Sequence, residues 1–225
     1  MKWLIDFFGS GIGKKLLMSL TGLFLIIFLL VHLIGNLQLL KDDSGMAFNL
    51  YAKFMKSNPL IKTVSYGLYF FIILHAIVGV MLALYNMSAK GGRYAVANHN
   101  KTSWASKNMV WLGSIIFAFI LIHMGDFWFK MKSGQLPLAT YGDVTVNDLY
   151  YRVAEAFQNP IIVIGYVIGM VILGMHLWHG FQSAFQTLGL NHKKYTPMIK
   201  AVGKVYSILV TIGFIIIPVY HYMAH

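Results

Sequence analysis

The chain has 225 residues, 58% hydrophobic and 11% charged, with a formal net charge of +11 and no cysteine. A mean hydropathy of +0.66 is more apolar than a soluble domain of this size needs for its core, which points to a membrane protein. The missing thiols exclude iron–sulfur ligation, CxxCH haem attachment and disulfides by this chain, and the positive charge is explained first by topology and anionic lipid headgroups, ahead of nucleic acid.

In chain order, "MKWLIDFFGSGIGKK" opens the sequence with Trp3, Leu4, Phe7 and Phe8 spaced for a short amphipathic segment at a membrane interface. Runs of about 20 apolar residues mark membrane-spanning helices, and five are expected: 16–40, 61–87, 108–130, 160–188 and 201–222. The first lacks a small-residue cleavage site and is read as a span, not a signal peptide. Between the second and third spans lies a basic loop without acids, 87–108, suited to a partner subunit or to plain solvation. The longest connection, 133–160, carries Leu149, Tyr150, Val153, Ala154 and Phe157 at helical spacing, which predicts a short helix on the membrane surface. The whole of 1–225 is expected to be one all-α, integral-membrane domain, a five-helix bundle.

Orientation follows the basic residues near span ends. Lys2, Lys14, Lys15, Lys90, Arg93, Lys101, Lys107, Lys193, Lys194, Lys200 and Lys204 share one side with Asp6 as the only acid, whereas the other side holds the remaining six acids. The N-terminus is therefore expected in the cytoplasm and the C-terminus outside, in an inner (cytoplasmic) membrane.

Six of nine histidines fall within spans or at their ends: His32, His75, His123, His176, His179 and His221. Each of the first four spans has at least one, and each ring carries its own insertion cost. Ligation is the economical account. Neutral imidazole is an axial ligand of haem iron, and a bis-histidine haem b takes one ring on each face, so four helices supply two haems. A tetrahedral zinc site takes four ligands as well. Depth separates the two: at about 1.5 Å per residue, His32 and His123 lie roughly 25 Å from the cytoplasmic span ends and His75 and His176 about 18 Å. That favours two sites, His32 with His123 and His75 with His176. Gly79 and Gly180 each follow a candidate ligand by four residues, on the same helical face. A missing side chain there leaves room for a flat macrocycle, although close helix packing uses glycine in the same way.

Together, "MSLTGLFLIIFLLVHLIGNL" on the first span, a histidine on each of the next two and "HLWHGFQSAFQTLG" on the fourth give a sequence that resembles, end to end, the five-helix, di-haem cytochrome b membrane anchor of the succinate:quinone oxidoreductase and fumarate reductase family. The family has glycines four and thirteen residues after its fourth-span ligand. Counting from His176 reaches Gly180 and Gly189; counting from His179 reaches Ser183 and His192. The resemblance thus selects His176, and leaves His179 to a propionate, a neighbouring helix or the headgroups. It implies haem iron held by His32 and His123 far from the catalytic subunits and by His75 and His176 near them, with Ser19 at a position that in some relatives bonds a propionate. Arg93, Lys193 and Lys194 are further charge partners, chosen by location.

The resemblance also implies an FAD-containing flavoprotein that interconverts succinate and fumarate in the cytoplasm, an iron–sulfur subunit as relay, and a quinone, usually menaquinone for the two-haem form. Asn36, Gln38, Asn49, Tyr51, Asp126 and Trp128 are the polar or aromatic span-end candidates for the quinone. Two departures bear on protons. Some relatives place a glutamate two residues before the fourth-span ligand, where this chain has Gly174, and an acid at the outer start of the second span, where the nearest equivalents are Phe48 and Asn49. A glutamate-dependent proton route is therefore not expected. Two other readings compete: the cytochrome b of a nitrate reductase, hydrogenase or formate dehydrogenase, and a haem-free histidine pathway for protons or metal ions. The one-histidine-per-helix pattern disfavours the first, because the nitrate reductase type groups its ligands on two helices.

Overall fold

A computed structural model describes residues 2–89 and 104–224. It is 84% helical, and five of its helices are long and apolar enough to cross a membrane: Gly11–Leu40, Pro59–Ser88, Lys107–Lys132, Pro160–Thr187 and Thr196–Ala224. Each coincides with an expected span; four run a few residues longer, and the fourth ends one residue earlier, at Thr187.

The chain begins with α1 (Lys2–Gly9), whose Trp3, Phe7 and Phe8 are exposed, the expected amphipathic segment in helical form. Ser10 then caps α2 (Gly11–Asn36), its hydroxyl accepting from the Gly13 N–H at 3.0 Å, the usual remedy for an orphan donor at a helix start. A side chain at position 13 would run into the Phe7 carbonyl, so glycine lets the two helices meet at a sharp corner. After a 3-10 turn, Leu37–Leu40, comes α3 (Met46–Ser57), entered through Ser44 (φ 54°) and Gly45 (φ 81°). Helix α4 spans Pro59–Ala89 and α5 spans Trp104–His123. A π-helical segment, Met124–Phe129, links α5 to the single turn α6 (Lys130–Lys132).

The connection expected to hold only a surface helix contains more. Leu138–Tyr141 (β1) pairs antiparallel with Val144–Asn147 (β2) around a two-residue turn in which Gly142 takes φ 60°, the positive φ that short hairpin turns require. The fold is thus not purely helical. Helix α7 (Leu149–Phe157) follows and buries Val153, Ala154, Ala156 and Phe157. Its apolar face packs on protein.

Helix α8 (Pro160–Thr187) carries Asn159 as its N-cap, accepting from Ile161 N–H, and Pro160 at its start. Helix α9 (Thr196–Ala224) contains Pro218. Side by side, α2 touches α4, α4 touches α5, α5 touches α8 and α8 touches α2, closing a four-helix ring, while α9 lies outside it against α8 and α2. Consequently α2 and α5 stand at one pair of opposite corners and α4 and α8 at the other. Two apolar cores hold this arrangement. Leu33, Leu177 and Val210 join α2, α8 and α9, reinforced by the Tyr206 hydroxyl donating to the Ile26 carbonyl at 2.6 Å. Leu39, Phe48, Phe127, Val153, Phe157 and Ile217 bind α3, α7 and the hairpin end of the ring together as a cap.

Candidate cofactor site

The middle of the ring is open. A cavity of about 1670 Å³ runs between α2, α4, α5 and α8, larger than the roughly 300–1,000 Å³ of ordinary small-molecule pockets. His32, His75, His123 and His176 all line it, one from each helix of the ring.

They meet as two couples. The His32 and His123 rings are 5.9 Å apart between centres, at 86°, and the His75 and His176 rings are 6.3 Å apart, at 68°. Each couple spans a diagonal. An imidazole nitrogen lies about 2 Å from a metal that it ligates, and the ring centre about 1 Å behind the nitrogen, so two rings on opposite sides of one ion have centres roughly 6 Å apart. Both couples have that spacing. The four rings do not converge on one point, and among the described residues no three His, Cys, Asp or Glu side chains gather as a metal-holding group, so the tetrahedral zinc arrangement finds no support in the geometry.

Glycines set the vertical spacing. A Cβ on Gly22 would lie 3.3 Å from Cε1 of His75, and one on Gly113 would lie 3.7 Å from Cε1 of His176. Gly22 precedes His32 by ten residues and Gly113 precedes His123 by ten, which is about 15 Å of helix on either side. The two couples are therefore two level tiers about 15 Å apart. Of the glycines singled out in the sequence, Gly180 faces open space within the cavity and Gly79 lines the cavity with the Met18 methyl 3.3 Å from its Cβ direction.

The rings are also oriented. Phe28 stacks on His32 at 5.2 Å and Phe119 on His123 at 5.9 Å, in each case from four residues earlier on the same helix face. Thr21 Oγ1 lies 3.0 Å from His75 Nδ1, the Tyr166 hydroxyl 3.3 Å from His123 Nδ1, and Asn36 Nδ2 donates to the His32 carbonyl at 2.8 Å while lying 3.3 Å from His32 Nδ1. His176 Nδ1 is buried with no hydrogen-bond partner. Thr21, Tyr166, Gly22 and Gly113 are the site residues that the sequence did not disclose. Only a polar group at mid-span hinted at the first two.

No family model, curated protein or solved structure matches the chain. The site therefore has to be read from its own residues.

The remaining sequence candidates divide by position. Ser19 is buried, lines the cavity and donates to the Lys15 carbonyl at 3.0 Å. His179 lines the cavity and is half-buried. Lys193 and Lys194 are exposed in the turn between α8 and α9, away from the cavity wall, and Arg93 lies outside the described residues, as do Lys90 and Lys101. Asn36, Tyr51 and Trp128 line the cavity beyond the His32 tier. Burial pushes the Tyr51 hydroxyl above its usual range, which keeps it a donor, and Trp128 leans on Tyr69 at 5.7 Å. Gln38 is half-buried in the 3-10 turn, off the cavity.

Asn49 and Asp126 are otherwise engaged. Asn49 is 1% exposed. It donates to the Tyr141 hydroxyl at 2.9 Å and to Asp148 Oδ1 at 2.8 Å, and its own Oδ1 accepts from the Tyr150 N–H at 3.0 Å. Asp126 pairs with Lys130 at 2.8 Å and with Arg152, which also holds Glu155. His221 is buried in the cap between Tyr150, Phe157 and Tyr220, apart from both tiers.

Proposed function

We propose that this chain is a di-haem cytochrome b, the membrane anchor of a succinate:quinone oxidoreductase or fumarate reductase, passing electrons between a cytoplasmic iron–sulfur subunit and membrane menaquinone. The observation that carries the reading is the pairing of four span histidines, one per ring helix, into two diagonal couples with centres 5.9 and 6.3 Å apart in one cavity. That spacing suits an iron between two imidazoles, and the open face of Gly180 leaves space for a planar macrocycle beside the rings. His32 with His123, and His75 with His176, would hold the two irons. Bound there, haem supplies reversible one-electron chemistry at two depths in the bilayer.

The protein's part is to orient and to exclude water. The Phe28 and Phe119 stacks hold two of the four rings, and apolar walls surround both couples. His179 lies at the end of the cavity suited to carboxylates of the His75-tier group, and Ser19, whose proton goes to the Lys15 carbonyl, lines the same end. Asn36, Tyr51 and Trp128, beyond the other tier, offer a donor, a second donor and an apolar plane to a quinone headgroup. Asn49 and Asp126 are left out of that role because their hydrogen-bonding capacity serves the cap. The flavoprotein would sit with the iron–sulfur subunit on the cytoplasmic side, where the basic span ends gather.

The test is a reduced-minus-oxidised spectrum with haem quantification on the purified chain or complex. Two low-spin haems b per chain are expected. Alanine at His32, His75, His123 or His176 removes haem, and His179→Ala retains both. A wild-type chain without haem would sink the proposal and restore the haem-free pathway, whereas co-purification with a molybdenum or nickel subunit would move it to another respiratory complex.

A further inference from the structure

The hydroxyl of Thr21 sits where its hydrogen-bonding roles can be counted. Thr21 is buried on α2, and its Oγ1 lies 2.7 Å from the Leu17 carbonyl, 3.2 Å from that of Met18 and 3.0 Å from His75 Nδ1. A hydroxyl has one proton to give. The shortest of the three contacts is the one to the Leu17 carbonyl, which can only accept; with the proton given there, what Thr21 presents to His75 is a lone pair. His75 must then be the donor. Its proton resides on Nδ1, and Nε2 keeps the lone pair that a metal requires. Gly22, the next residue, removes the Cβ that would press on Cε1 of the same ring, so the Nδ1–Cε1 edge lies flat against α2.

Across the cavity the arrangement differs. His176 Nδ1 is buried without a hydrogen-bond partner, and a Cβ on Gly113 of α5 would lie 3.7 Å from that ring. One member of the couple is hydrogen-bonded and the other is not.

Resting on the di-haem reading, the geometry points to Thr21 as a positioning residue that fixes the tautomer of His75 and tunes the redox potential of the His75–His176 tier alone. An acceptor on Nδ1–H increases the electron density of the imidazole, which favours the more positively charged oxidised metal and lowers the potential. The Tyr166 hydroxyl lies 3.3 Å from His123 Nδ1, so its removal serves as the comparison variant at the other tier.

The experiment is a potentiometric titration of the haem spectrum in membranes carrying the whole complex, for wild type, Thr21→Val, Thr21→Ser and Tyr166→Phe, with haem per chain measured on each. Wild type without haem overturns the di-haem reading itself. With two haems present, Thr21→Val is expected to raise one midpoint potential and leave the other in place, Thr21→Ser to keep the wild-type values, and Tyr166→Phe to move the other potential. Loss of one haem in Thr21→Val with full retention in Thr21→Ser supports the same assignment, because the two variants differ in the hydroxyl. The assignment is overturned if Thr21→Val leaves both potentials unchanged, if Thr21→Ser shifts as far as Thr21→Val or loses haem with it, or if the Thr21 and Tyr166 variants move the same potential.

Discussion

A Cβ added at Gly22 would stand 3.3 Å from a ring atom of His75, and the larger side chain of valine would take space that the imidazole occupies. Overpacking a filled site costs about 1–3 kcal/mol, enough to weaken cofactor retention roughly 5- to 150-fold. Gly22→Val is therefore expected to lower the haem-to-protein ratio from two toward one, with Gly22→Ala close to two because only a few tenths of an ångström must be yielded. A pyridine haemochrome assay on purified protein reads the ratio, and a Val variant that keeps two haems contradicts the close seating. At this scale the four span histidines were legible and the groups beside them were not. An imidazole in hydrocarbon is costly enough to demand a reason, so four of them stood out. A threonine can bond its own helix backbone, as Thr21 does with Leu17, and a tyrosine at mid-span packs as an aromatic, so neither Thr21 nor Tyr166 announced a second partner. Lys193 and Lys194 were chosen by charge and depth alone, and nothing in a charge pattern discloses that a turn carries them off the cavity wall.

Among the elements, the cap formed by α3, the hairpin and α7 is tied by one amide above its apolar core. Asn49 reaches Tyr141, Asp148 and the Tyr150 N–H from a position with no water access, so removing it leaves the Tyr150 N–H without its acceptor, while Asp148 keeps the Tyr151 N–H and Tyr141 the Ser44 carbonyl. A stranded group costs about 1–3 kcal/mol. Asn49→Ala is expected to destabilise the protein by about 1–3 kcal/mol on that basis, seen as a lower detergent melting temperature and as proteolysis in 133–149. Haem content should stay at two, because Asn49 does not touch the cavity; simultaneous loss of haem would show that the cap and the tiers are coupled. The spans could be read in advance because 20 apolar residues have few alternatives in a membrane protein. Helix α3 was missed because "MAFNLYAKFMKS" mixes polar and apolar residues in a segment too short to span. The hairpin went unread although "TYGDVTV" alternates and contains a Gly-Asp turn, since the helical spacing of 149–157 dominated the interpretation of the whole connection.

For the molecule as a whole, orientation and filling give two separate measurements. With no native cysteine, single cysteines at Lys193 and Asp143 report sidedness without background. The expected result is that an impermeant maleimide on intact cells labels Asp143→Cys and leaves Lys193→Cys until the membrane is opened; the reverse pattern would invert the assignment made from basic residues. The cavity sets the second expectation. Helix α4 has 6% of its most apolar window buried and α5 has 11%, against 28% in α8 and in α9. Helices α4 and α5 border the cavity with little buried surface of their own, while α8 and α9 are packed on each other and on α2. A ligand that binds only the folded state stabilises it by mass action, and here the gain should fall on the under-packed side of the ring. Hydrogen exchange in lipid nanodiscs, comparing haem-replete with haem-deficient protein, is expected to show protection lost first in the middle of α4 and α5, with α8 and α9 nearly unchanged. Equal loss across all five spans, or loss led by α8 and α9, would mean that the cavity is not completed by the cofactor and that the open ring of the bare chain persists in the membrane.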